Sequence, residues 1–179
     1  NKQIVAPFND REAIISLAQS SQVVTYEFEH IDSQTLIDLV QAGHKIYPSP
    51  RTLQVIQNKL SQKEALVKGG IPVPFFSPVN DKKDILALAE NWSYPLILKA
   101  CTGGYDGKGN YVIRGPSDID KALEMFKGSE LMVEAFVPFV CEVSMMVVRS
   151  KSDGVRTYPL VENKHVDNIL QHSITPARV

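Results

Sequence analysis

Little in this sequence invites a disulfide framework, a membrane span or a nucleic-acid surface. Only two of the 179 residues are cysteines. Cys101 and Cys141 lie far apart in strand-like segments, which suits neither a metal pair nor a stapled secreted fold, so both read as reduced, structurally buried thiols of a cytoplasmic protein. No apolar run approaches the ~20 residues of a membrane helix, and no secretory leader pattern opens the chain. Charge of either sign is not in excess: 19 Lys and Arg face 20 Asp and Glu, a net charge of -1. Without a basic run, no nucleic-acid or anionic-membrane partner is expected, whereas small anionic ligands stay open. The histidines are few, and His44, His165 and His172 share no metal-ligand spacing. An initiating Met is missing too, and "KQIVAP" reads as an interior strand, so the expectation is a fragment of a longer chain.

What is present is a soluble, globular balance of 44% hydrophobic and 22% charged residues. Helix and strand alternate through the first fifty residues, the pattern of a parallel sheet with helices on its faces. "REAIISLAQSS" has helical spacing behind the N-cap Asp10, and "QVVTYEF" reads as a strand. "DSQTLIDLVQAG" is a helix capped by Asp32 or Ser33 and stopped at Gly43, followed by the short strand "KIYP". Residues 49–70 read as one helix, with Ser49 as cap, Pro50 in the first turn and Gly69-Gly70 as the stop. "IPVPFFSPV" then reads as an extended linker, with a domain boundary near residue 75. Beyond it come a helix at 82–91, the strands "YPLILKA" and "NYVIR", and a helix at 118–127 started by Ser117. "ELMVEAFV" and "EVSMMVVRS" follow as strands, and "KSDG" turns into "VRTYPLVEN". The expected domains are 1–75, 76–150 and 151–179, and after "VRTYPLVEN" the last of them continues as a polar tail, "KHVDNILQHSITPARV".

The stretch "TGGYDGKGN" (102–110) joins strand to strand. It therefore cannot be the strand-to-helix cradle of a Walker site, and Gly109 stands where that motif needs a hydroxyl. Its glycines and Lys108 suit a lid that closes on phosphate, and an ordinary glycine hairpin is the commoner alternative. Lys99 ends an apolar strand just before this loop and needs an anionic partner, either a phosphate or the solvent reached by snorkelling. Glu134 and Glu142 bracket a short apolar linker that could line a purine while the carboxylates accept from amino or hydroxyl groups. In "TYEFEHI", period-two alternation would place Glu27 and Glu29 on one face at the carboxyl end of a strand, where open parallel sheets bind ligands.

The segments "YPSPRTLQVIQNKLSQKEALVKGGIPVP", "YPLILKACTGGYDGKGNYVI", "EAFVPFVCEVSMMVVRS" and "YPLVENKHVDNILQHSITPAR" resemble, in order and spacing, the ATP-grasp family of 5-(carboxyamino)imidazole ribonucleotide synthases of purine biosynthesis. The resemblance covers almost the whole chain. It implies a mixed α/β and α+β fold: part of an amino-terminal parallel-sheet domain, a small α+β ATP-lid domain and the start of a third domain. It also implies an ATP-dependent carbon-nitrogen ligase that carboxylates aminoimidazole ribonucleotide with bicarbonate, using magnesium.

Under that resemblance Lys59 and Lys99 contact the ATP phosphates, and Gly104, Tyr105, Asp106, Gly107, Lys108, Gly109 and Asn110 form the lid. Glu134 accepts from the adenine amino group, while Ala135, Phe136 and Val137 line the base. Glu142 binds the ribose hydroxyls and His165 completes the pocket. Glu29 is a substrate candidate by strand position, no catalytic base is assigned, and the magnesium ligands are expected outside this chain. A homodimer is implied for the intact enzyme. Another ATP-grasp carboxylase, or a nucleotide-binding module without catalysis, remains an alternative reading. Truncation of Lys99 is expected to weaken nucleotide binding with the fold intact.

Overall fold

The computed structural model describes residues 3–104, 109–150, 152–166 and 169–179. The chain divides into two compact units, Asn1–Pro78 and Val79–Val179.

In the first unit, α1 (Arg11–Gln19) starts where the Asp10 carboxylate accepts from the Ala13 N–H at 3.0 Å. β1 (Val24–Thr25) and β2 (Ile46–Tyr47) pair in parallel, Val24 opposite Ile46, with α2 (Ser33–Gln41) as the crossover between them. The expected alternation thus yields a parallel pair. The apolar faces of these elements meet in a core of Ala18, Val24, Leu36, Leu39, Ile46 and Leu53. Asp32 caps α2 through Gln34 N–H. The buried Thr35 hydroxyl is held between Asp32 and Arg11, whose guanidinium also meets Asp38 at 2.9 Å. That guanidinium and the Gln34 amide hold the Asp38 carboxyl below its usual range, the Gln34 bond contributing most.

Three readings change here. Residues 3–7 form no strand, so the strand expected over "KQIVAP" is not found among its described residues. β1 ends at Thr25, and beyond it the chain is held by side chains: Gln57 Nε2 donates to the Glu29 and Ile31 carbonyls, and the Tyr26 hydroxyl donates to the Pro48 carbonyl oxygen at 3.1 Å. Burial pushes the Tyr26 hydroxyl's pKa up. The single helix expected over 49–70 is two, α3 (Pro50–Ile56) and α4 (Lys59–Lys68). Asn58 breaks it: its side-chain oxygen accepts from the Leu60 and Ser61 N–H groups and restarts the helix, whereas Ser49 makes no side-chain cap.

β3 (Phe76–Val79) leads into the second unit, whose four-stranded sheet runs in the order β3-β6-β4-β5, with β4 (Leu96–Ala100), β5 (Asn110–Ile113) and β6 (Leu131–Ala135). α5 (Lys82–Trp92) opens on a reciprocal capping box between Asp81 and Asp84. α6 (Ile119–Met125) follows a 3-10 turn at Pro116–Asp118. The cap expected at Ser117 does not form: the adjacent Asp118 carboxylate accepts from the Arg114 N–H, and the 3-10 turn starts the element instead. Alternation sends Leu96, Leu98, Ala100, Ile113, Leu131 and Val133 into one core with Ile85, Ile119, Ala122 and Phe126 of the helices.

The rest of this unit is antiparallel. "EVSMMVVRS" splits at Met145-Met146 into β7 (Glu142–Ser144) and β8 (Val147–Arg149). "VRTYPLVEN" splits around Pro159 into β9 (Val155–Thr157) and β10 (Val161–Val166), since proline cannot donate to a ladder. β8 pairs β9, and β10 sits between β7 and β11 (Ile169–Ile174). The tail read as polar thus supplies a strand.

Candidate functional site

β4 and β5 form the expected antiparallel hairpin, with Lys99 opposite Asn110. The connecting loop closes by a backbone approach of two glycines: a side chain on buried Gly109 would meet the Cα of Gly104 at 2.6 Å. Gly109 also accepts from the Ala100 N–H at 3.0 Å, and Gly103 has φ +71, a left-handed conformation that favours glycine. Tyr105, Asp106, Gly107 and Lys108 lie outside the described residues.

Lys99 emerges on the sheet face opposite the helices. Residues 97 and 99 of β4 and 132 and 134 of β6 share that face, and the register sets Lys99 diagonal to Glu134. Their charges meet at 2.6 Å, with the side chains 21% and 6% exposed. An anionic partner was expected for Lys99, and within the protein it is Glu134. Two charges so little solvated hold together only with good geometry, and removal of either one leaves the other with its desolvation less well compensated. Ala135 ends β6, half-buried, and Phe136 and Val137 are exposed beyond it.

A second pair lies on the three-stranded sheet. Glu142 of β7 stands opposite Asn163 of β10, and its carboxylate reaches diagonally to His165 Nδ1 at 2.7 Å. Both side chains are partly open to solvent. Six residues of mostly apolar loop, 136–141, carry the chain from the first pair to the second. Two neighbours did not stand out in the sequence: Met132, fully buried opposite Lys99, and Asn163, opposite Glu142. Stepping two residues back from Glu134 and from His165 finds them.

Lys59 and Glu29 lie in the first unit. Lys59 takes the first helical position of α4, half-buried. Glu29 is exposed, and its carbonyl is tied to Gln57 two residues before Lys59. Because β1 stops at Thr25, strand alternation does not place Glu27 and Glu29 together. Beyond the strand end lies a cavity of about 310 Å³ lined chiefly by apolar side chains, among them Phe8, Leu17, Phe28 and Ile31, with Glu27 at its wall. Among the described residues no cluster of three His, Cys, Asp or Glu could hold a metal ion, and no helix is long and apolar enough to cross a membrane.

The second unit thus brings a glycine-necked hairpin loop beside a sheet face bearing a paired lysine and glutamate. Residues 64–179 match the ATP-grasp domain and residues 1–57 the ribonucleotide synthetase preATP-grasp domain, so the chain belongs to the ATP-grasp family. The N5-carboxyaminoimidazole ribonucleotide synthase of Bacillus subtilis is 39% identical over 178 residues, which is 99% of this chain and 46% of that protein. The phosphoribosylaminoimidazole carboxylase of Saccharomyces cerevisiae is 40% identical over 184 residues, 100% of this chain and 32% of that protein. Among solved structures, an N5-carboxyaminoimidazole synthase from Aspergillus clavatus, in complex with ADP and 5-aminoimidazole ribonucleotide, matches with TM-score 0.88 and 36% identity over 97% of this chain and 45% of that one. The chain thus spans about a third to a half of the length of these relatives.

Proposed function

We propose that this chain carries most of the ATP site of a 5-(carboxyamino)imidazole ribonucleotide synthase, a ligase that carboxylates aminoimidazole ribonucleotide with bicarbonate and yields ADP and phosphate. The observation that carries the reading is the Lys99–Glu134 pair on the sheet face next to the glycine-necked loop. A cation and a carboxylate fixed on one rigid sheet face suit a ligand with an anionic tail and an amino-bearing ring. The Bacillus subtilis and Aspergillus clavatus relatives, one named for this reaction and the other seen with ADP and the ribonucleotide, support the choice of substrates.

In this reading ATP supplies the phosphoryl group that activates bicarbonate. Lys99 places positive charge by the phosphates while it orients the Glu134 carboxylate toward the adenine amino group. Ala135, Phe136 and Val137 offer backbone groups and apolar surface to the base, Glu142 accepts from the ribose hydroxyls, and His165 fixes that carboxylate. Gly104 and Gly109 hold the neck of the lid, and Asn110 anchors its far side opposite Lys99. Lys59 is a second phosphate contact and Glu29 a ribonucleotide contact in the first unit. Magnesium, which accompanies ATP, finds no three-ligand cluster among the described residues, and no step is assigned to it.

The division into 1–75, 76–150 and 151–179 belongs to the same proposal, with β7 reaching across residue 150 into the sheet of the last segment. So do a homodimer, a cytoplasmic location and the inactivity of this chain by itself. The test is phosphate release by the full gene product, with and without aminoimidazole ribonucleotide and bicarbonate. Release that needs both establishes the synthase. Release that ignores the ribonucleotide points to another ATP-grasp carboxylase, and binding without release points to a nucleotide-holding module.

A further inference from the structure

Asn163 lies at the centre of a polar rung on the three-stranded sheet. It stands directly opposite Glu142 on β7 and opposite Ser173 on β11. Its amide nitrogen donates to Ser144 Oγ at 2.9 Å, and its amide oxygen accepts from Ser173 Oγ at 3.2 Å. One side chain therefore ties all three strands, with both ends of its amide engaged. The ties run diagonally, Asn163 to Ser144 and His165 to Glu142, so the two pairs lie side by side on one face. Immediately beyond Asn163 the ladder slips. Lys164 pairs with His172 but His165 pairs with Leu170, leaving Gln171 as an extra residue on β11. Such a bulge bends the strand that carries it and sharpens the local twist. It lies on β11 at the level of His165, which meets Glu142 on the other side of β10.

We propose that Asn163 is a positioning residue of the nucleotide site: by clamping β7, β10 and β11 next to the bulge it holds the Glu142–His165 pair in the geometry that reads the ribose hydroxyls. The inference rests on the assignment of Glu142 to the ribose. A bulge is otherwise a place where register drifts, and a side-chain amide with no freedom left pins the register on the near side. Asn163 need not touch the nucleotide. Its effect passes through the carboxylate, so it falls on the ribose and spares the base and phosphates.

The test compares the affinities of magnesium-ATP and its 2′,3′-dideoxy analogue by calorimetry for the native 179-residue chain and for Asn163→Leu, Ser144→Ala and Ser173→Ala. The native chain is expected to prefer ATP by about tenfold or more, the worth of hydrogen bonds to one carboxylate. Asn163→Leu should cut that preference to less than about threefold, almost entirely through loss of ATP affinity. Each serine variant should fall between. Ser144 and Ser173 are exposed, so they carry the test even where Asn163→Leu does not fold. Variants that retain the full preference, or that weaken both nucleotides equally, overturn the proposal and leave the ATP site standing. A native chain that binds both nucleotides alike removes the ribose contact and the proposal with it. A native chain that binds neither overturns the nucleotide reading itself.

Discussion

Lys99→Ala is the perturbation whose outcome the structure changes most. From the sequence, truncating a strand-end lysine removes little core and leaves the fold intact. With the Glu134 carboxylate 2.6 Å away and only 6% exposed, the substitution instead takes a counter-charge from a nearly buried anion. Breaking a buried pair from one side costs roughly 3–5 kcal/mol. Lys99 retains 21% exposure, and solvent entering the space screens part of the loss, so about 3 kcal/mol is expected. Trp92, the only tryptophan, packs against the core of the same unit, so its fluorescence during urea unfolding reports the relevant transition. The midpoint should fall with little change in slope. Glu134→Gln in the same background should recover part of the loss, a coupling of at least about 1 kcal/mol. A cost below about 1 kcal/mol, with no coupling, is how a solvated surface pair behaves and would refute the reasoning.

Gly109→Ala forces a methyl to 2.6 Å from the Gly104 Cα and should destabilise the second unit by about 1–3 kcal/mol and weaken ATP binding, whereas Gly115→Ala, with nothing within 4 Å, should stay within about 0.5 kcal/mol. Thermal unfolding of the two variants side by side checks this. Asn58→Ala removes the acceptor of two N–H groups at the start of α4 and should cost about 1 kcal/mol, read by denaturant unfolding of the first unit. Asp38 has its pKa lowered below the ordinary 3.8, so its contribution to stability is present above that pH and lost as pH falls through the lower folded value. Asp38→Asn should therefore differ from the native chain at neutral pH and converge with it in acid, as unfolding across a pH series would show.

The local features were legible because their causes are local. Asp10 and Asp32 cap helices by reaching two or three residues ahead, and the loop at 102–110 declared a hairpin through its flanking strands. What escaped depends on distant partners or on competition within a few residues. Asn58 could have continued a helix, and only its bonds to Leu60 and Ser61 show that it restarts one. Strand β11 carries Gln171, His172 and Ser173 in its middle and is recognisable through its pairing with β10. The same holds at the site. Lys99 carried a visible need for an anionic partner, yet that Glu134 meets it follows from the register of β4 against β6, which no periodicity within either strand contains. Glu27 and Glu29 illustrate the converse, where an alternation clear in the sequence outruns the strand, which ends at Thr25, and Gln57 binds the carbonyls of Glu29 and Ile31 instead.

The central claim is that this chain holds an ATP site built on Lys99, Glu134, Glu142 and His165. Titration of the 179-residue chain with magnesium-ATP by calorimetry tests it most directly, with the Glu142→Ala variant alongside. One saturable site per chain, weakened in the variant, is the predicted result. No binding by the native chain, or binding that Glu142→Ala leaves unchanged, would contradict it.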